Sequence, residues 1–188
     1  DNASSRGLGD VYKRQLGAHN WQAMSIDLEA GLAYIPTQEN PFFYAIQEDY
    51  KKTGVFKWTP GQWNMGIEMS SLAQNILNNL ESQPKPGGFL KAFDPLTGET
   101  KWSVPIPHYW NGGVLGTAGG LVFQGDALGM FSAYDKDTGE RLWEFNTYTS
   151  MLAPPITFEI DGEQYVSILT GSGAVSYTHL TLPTSNSV

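Results

Sequence analysis

The chain has 188 residues, 40% of them apolar, 16% charged and 13% aromatic, with 21 Gly, 11 Pro and no Cys. Its formal charge of −8 argues against nucleic-acid binding, which needs a clustered basic surface. The lack of Cys excludes disulfides and thiolate metal sites, and no apolar run reaches the roughly 18 residues of a membrane-spanning helix. Aromatic-rich, Gly-rich and charge-poor chains favour short strands joined by tight turns, an all-β fold, over a helix bundle.

In chain order, residues 1–15 show neither periodicity nor caps. Ala23–Asp27 and Leu32–Ile35 read as strands flanking a turn at Leu28–Gly31. Residues 37–88 hold no clean strand pair and read as a long inter-strand excursion, with Lys51, Lys52, Trp58 and Trp63 and a short helix expected over Ser71–Leu80. Excursions of this length on rigid scaffolds often shape entrances.

A repeat follows. Ala92-Phe93-Asp94-Pro95-Leu96-Thr97-Gly98-Glu99-Thr100-Lys101-Trp102 recurs, with seven matching positions (six identical residues and one shared aromatic) at a constant offset of 41, in the segment from Ala133-Tyr134-Asp135 through Thr138-Gly139-Glu140 to Trp143. In each copy Ala-aromatic-Asp closes a strand. Asp-x-x-Thr-Gly then supplies side-chain acceptors for backbone N–H groups and a Gly free to take positive φ. The next strand carries a Trp placed to pack between neighbouring units. Between the copies, strands are expected at Gly113–Ala118, Leu121–Gln124, Met130–Tyr134 and Arg141–Phe145, with turns at Gly119-Gly120 and 125–129. A hairpin follows from Ile156–Ile160 and Tyr165–Leu169 across Asp161-Gly162. A period near 40 with several strands per repeat is the signature of propeller blades.

Residues 5–15 and 175–184 resemble translated sequencing-library adapters and share nothing with the repeat. The expected division is therefore a foreign segment at 1–15, a partial propeller at 16–174 and a second foreign segment, carrying His179, at 175–188.

The repeat resembles the tryptophan-docking motif of quinoprotein dehydrogenases, eight-bladed propellers that use pyrroloquinoline quinone (PQQ). Two further segments strengthen the resemblance and point to the alcohol dehydrogenase branch, including its quinohaemoprotein members. Gly17-Ala18-His19-Asn20-Trp21-Gln22-Ala23-Met24 resembles the family's Asn-Trp quinone contact, and Pro107-His108-Tyr109-Trp110-Asn111-Gly112-Gly113 its Trp-Asn-Gly-Gly segment. The resemblance implies cofactor-binding roles for Asn20, Trp21, Trp110 and Asn111. A flat tricarboxylated quinone needs aromatic planes and N–H donors, which indoles and carboxamides supply. Trp110 and Asn111 could equally shape the turn before Gly112-Gly113. Trp102 and Trp143 are read as docking residues, and His19 and His108 as local hydrogen-bonding groups. Gly171-Ser172-Gly173 falls near where the family brings backbone close to the quinone.

The resemblance also implies a periplasmic enzyme oxidising primary alcohols to aldehydes, with cytochrome c or a haem domain as electron acceptor. Its Asp base, the Glu and Asn ligands of its calcium, its adjacent disulfide-bonded cysteines and an Arg or Lys near the quinone are expected before residue 16. A haem c attachment motif, in members that have one, would follow the propeller. No catalytic or metal-binding residue is therefore assigned here: Asp27, Asp94 and Asp135 are turn residues, and the chain alone is expected to be inactive. The competing readings are a non-enzymatic propeller scaffold in outer-membrane protein assembly and a sugar dehydrogenase of the same fold. A scaffold has no reason to keep both the Asn20-Trp21 and Trp110-Asn111 segments.

Overall fold

The computed structural model describes residues 18–39, 46, 48–61, 64 and 87–171, together with the backbone of 178–184. It divides into two units, one of residues 1–15 and 40–85, the other of residues 16–39 and 86–188. The second unit holds all the strands described below.

Its first blade is an antiparallel sheet of β1 (Ser25–Asp27), β2 (Leu32–Glu39), β3 (Gly87–Asp94) and β4 (Glu99–Ile106), in that order. The second blade repeats the arrangement with β5 (Val114–Gly116), β6 (Leu121–Gly125), β7 (Met130–Asp135) and β8 (Arg141–Asn146). A third sheet has the order β11-β10-β9, from β9 (Ile156–Ile160), β10 (Glu163–Thr170) and β11 (Thr178–Thr184). The strands expected from the sequence all form. The excursion is shorter than expected, because β2 runs on to Glu39 and β3 begins at Gly87, and Glu39 pairs with Gly87 and Gln38 with Gly88. Backbone pairing carries the ladder past the point where apolar alternation stops. The helix expected at Ser71–Leu80, Trp63, Ser172 and Gly173 lie outside the described residues. In the other unit, a short helix of six residues, α1 (Glu48–Thr53), is closed by Gly54, whose N–H donates to the Tyr50 carbonyl at 2.8 Å.

β11 falls within 175–188 and pairs along β10 from Gln164↔Thr184 to Thr170↔Thr178. An open sheet edge offers its unpaired N–H and C=O groups to any extended segment nearby, so this pairing follows from proximity and alternation.

The two repeat copies fold alike. Asp94 Oδ1 accepts N–H bonds from Leu96 (2.9 Å) and Thr97 (3.1 Å), and Asp135 Oδ1 from Asp137 (3.0 Å) and Thr138 (2.8 Å). Gly98 and Gly139 take φ of 76° and 74°, where a Cβ is disfavoured. A β-bulge follows at the same place in each: Ala92 pairs with Trp102 but Phe93 with Thr100, and Ala133 with Trp143 but Tyr134 with Arg141. The bulge adds twist and re-aims the strand that carries the Trp.

One apolar core lies between the blades. Leu32, Tyr34, Leu90, Ala92, Trp102 and Ile106 of the first meet Val114, Val122 and Tyr134 of the second. Trp102 is 9% exposed, stacks on Tyr34 and sits over Gly139, where an added Cβ would approach its ring to 2.7 Å. A second core joins Phe123, Phe131 and Ala133 to Met151, Val166 and Ile168. Trp143 differs from its counterpart. It is 37% exposed on β8, a strand exposed along its whole length, and its ring meets Phe131 edge-on and stacks on Phe145, both of its own blade. The sequence motif is the same; the neighbouring turn that covers Trp102 has no equivalent over Trp143 among the described residues.

Candidate functional site

Both candidate segments lead into the first strand of a blade with the same spacing. Trp21 lies four residues before β1, and Trp110 four before β5. The two segments are tied together: the Val114 N–H donates to the Ala23 carbonyl at 2.9 Å, and the Gly116 N–H to Ser25 Oγ at 2.9 Å. Backbone bonds from Gly112 to Gly125 (3.0 Å) and from Gly113 to Leu152 (3.4 Å) fix the second segment further, and Gln124 Nε2 caps the Gly112 carbonyl at 3.0 Å.

These ties bring Trp21 and Trp110 together. Their ring centroids are 6.1 Å apart and their planes 64° from parallel, an edge-on pair. Trp21 is 57% exposed, whereas Trp110 is half-buried. Asn20 is exposed beside Trp21, and Asn111 is buried. Asn111 Nδ2 donates to the His108 carbonyl, which closes the loop, and its Oδ1 is buried without a hydrogen-bond partner. So Asn111 takes up the turn-shaping role left open by the sequence, with an acceptor to spare. An orphaned buried acceptor is costly.

The histidines act locally. His19 Nδ1 donates to the Pro36 carbonyl at 2.8 Å, and the Gln38 N–H donates to the Ala18 carbonyl at 2.8 Å, so β2 holds the Trp21 segment. His108 Nδ1 accepts from the Trp110 N–H at 3.0 Å, and its ring stacks on Tyr109.

Sequence reasoning missed Gln22. It occupies the position after Trp21 that Asn111 occupies after Trp110, and both carboxamides are buried. Gln22, Tyr109 and Asn111 line a small recess with Pro36, Thr37 and Gln38. The shared Trp-carboxamide pair was a legible signal for it.

The aspartates are structural. Asp27 accepts N–H bonds from Glu29 (2.9 Å) and Ala30 (3.0 Å) and pairs with Lys136 Nζ at 3.0 Å, joining the two blades. These bonds, the Ala30 N–H foremost and the Lys136 ammonium next, hold its carboxyl below the usual range. Backbone N–H donors, of Thr97 and Thr138 first, do the same for Asp94 and Asp135. Among the described residues no three of His, Cys, Asp and Glu gather as a metal site, and no helix is long and apolar enough to cross a membrane.

Known proteins are similar to this chain over most of its length. The family model of the PQQ-type glucose/ethanol/alcohol dehydrogenase β-propeller domain matches residues 11–166. The quinohemoprotein alcohol dehydrogenase ADH IIB of Pseudomonas putida is 40% identical over 167 residues, covering 88% of this chain and 22% of its own length. The quinohemoprotein alcohol dehydrogenase of Comamonas testosteroni is 41% identical, covering 88% of this chain and 23% of its own length. The solved structure of the latter matches with a TM-score of 0.68 at 38% identity, over 82% of this chain and 22% of that one. That of ADHIIG from Pseudomonas putida matches with a TM-score of 0.70 at 37% identity, over 84% of this chain and 23% of that one. This chain thus spans under a quarter of the length of these relatives, and its sheets are part of a propeller. A family model matching most of the chain, and solved relatives that share its fold, agree with the repeat and the paired indoles: the chain belongs to the PQQ-type glucose/ethanol/alcohol dehydrogenase β-propeller family.

Proposed function

We propose that this chain forms one wall of the quinone-binding channel of a periplasmic PQQ-dependent alcohol dehydrogenase that oxidises primary alcohols to aldehydes. The observation that carries the reading is the Trp21–Trp110 pair, set just before the first strands of neighbouring blades with the rings 6.1 Å apart. A flat quinone needs apolar planes and polar groups at its rim. Trp21, with more than half its surface free, offers a stacking face, and its edge-on contact with Trp110 fixes where that face lies. Asn20, next to Trp21 in the chain, brings an exposed carboxamide, and Asn111 holds the Trp110 loop while keeping an acceptor, Oδ1. PQQ, when bound, supplies the two-electron acceptor for hydride from the alcohol carbon. The chain's own contribution is to bind and orient.

The base that takes the alcohol proton and the calcium ligands are assigned to other parts of the parent protein. Support for alcohols over sugars comes from the relatives, which include a 1-butanol dehydrogenase (cytochrome c) of Thauera butanivorans, 38% identical over 83% of this chain and 22% of its own length. Its name also favours a cytochrome c or haem domain as electron acceptor. The test is a PQQ titration of the 188-residue chain followed by indole fluorescence. Trp21→Ala and Trp110→Ala should each weaken binding, whereas Trp143→Ala on the outer strand should not. Equal effects of all three would sink the reading. With PQQ, calcium and ethanol supplied, the chain alone should reduce no dye.

A further inference from the structure

Both segments that carry the paired indoles rest on the same end of the β2–β3 ladder. β2 holds the Trp21 segment through Pro36 and Gln38. The Trp110 segment leans on β3 at Gly88, which pairs with Gln38 on one side and Ile106 on the other. A Cβ at Gly88 would fall inside van der Waals contact of the His108 carbonyl oxygen and of Asn111 Nδ2, and 2.9 Å from the His108 carbonyl carbon. These are the two partners of the hydrogen bond that closes the Trp110 loop. Backbone cannot yield as the tip of a flexible side chain can. The neighbouring Gly87 is different: its Cβ would meet only the ring of Phe89, at 3.2 Å.

We infer that Gly88 is a positioning residue for the quinone site: its bare Cα is the seat on which the His108–Asn111 bond rests, and this seat sets Trp110 against Trp21. Gly88 touches no reacting group. It acts through the Asn111 carboxamide and the loop backbone, and its link to cofactor binding rests on the function proposed above. Any side chain at Gly88 lifts the loop and turns the edge-on pair apart, while the Trp102 core, which does not use Gly88, stays closed.

The experiment compares Gly88→Ala, Gly87→Ala and Asn111→Ala in the full 188-residue chain. The readout is the far-ultraviolet circular-dichroism couplet of the two close indoles, defined as the signal that Trp110→Phe and Trp21→Phe each abolish. Gly88→Ala and Asn111→Ala should both lose it, Gly87→Ala should keep it, and the burial of Trp102 should remain, read by fluorescence quenching. PQQ affinity should fall about tenfold in the two variants that lose the couplet. A couplet retained in Gly88→Ala overturns the inference, as does its equal loss in Gly87→Ala. If Gly88→Ala does not fold, Asn111→Ala decides alone, because it opens the loop without altering β3, and a couplet retained there overturns the inference. Failure of the wild-type chain to bind PQQ would defeat the proposed function instead, and would leave the couplet result standing.

Discussion

The indole nitrogen of Trp102 donates to the backbone carbonyl of Lys136 at 3.0 Å, so a side chain on β4 of the first blade ends on a turn of the second. The Lys136 ammonium returns the contact, reaching Asp27 at the end of β1 in the first blade. One residue, Lys136, thus ties the second blade to the first through both its backbone and its side chain.

Trp102→Ala should cost about 3–5 kcal/mol, the usual loss for a large aromatic removed from a closed core. Trp143→Ala, at the same repeat position but without a covering turn, should cost under about 1 kcal/mol. Urea unfolding of the two variants checks the difference, and equal losses would show that the motif stabilises within its own blade and not across blades.

Gly139→Ala and Gly98→Ala share a positive φ and separate strain from contact. At Gly98 nothing lies within 4 Å of the added Cβ, so only the left-handed backbone penalty of about 1 kcal/mol applies. At Gly139 the methyl also enters the Trp102 ring, adding roughly 1–3 kcal/mol of overpacking. Thermal unfolding should rank Gly139→Ala clearly below Gly98→Ala.

The pH dependence has two limbs. Asp27, Asp94 and Asp135 are held below the ordinary carboxylate value of 3.8, so their stabilisation is complete above 3.8 and is lost as pH falls through the lowered folded values. Lys136 is raised above 10.5, first by its hydrogen bond to Asp27, so its stabilisation is complete below 10.5 and is lost as pH rises through the raised value. Asp27→Asn should flatten both limbs, whereas Asp94→Asn should flatten only the acid one. Unfolding midpoints measured across pH will separate them.

Asn111→Asp replaces the amide donor with an oxygen facing the His108 carbonyl. Leaving buried acceptors opposed should cost about 1–3 kcal/mol. The same change at exposed Asn20, where water can solvate the new carboxylate, should cost less. Chemical denaturation of the pair is the check.

The turns were legible because their causes are local. Asp, Thr and Gly within five residues determine each turn, and the Trp follows at a fixed remove. The last residues of β2 and the first of β3 were not, because Gln38, Gly87 and Gly88 carry no apolar alternation and are strand only through their partners. The fates of Trp102 and Trp143 could not be told apart from identical motifs, since what covers each lies elsewhere in the fold. The indole pair could be named residue by residue, but its edge-on geometry could not. The seat at Gly88 depends on a loop that returns about twenty residues later.

The pairing of Glu39 with Gly87 clamps both ends of the excursion on one ladder. A loop closed in this way adds only about 0.6 kcal/mol of entropy cost for each doubling of its length. The blade can therefore accept a longer, shorter or wholly different insert at this point while its register, and the indoles braced on it, stay put. Divergence in the insert and conservatism in the scaffold can proceed independently, so the segment between β2 and β3 can change without the blade being refolded.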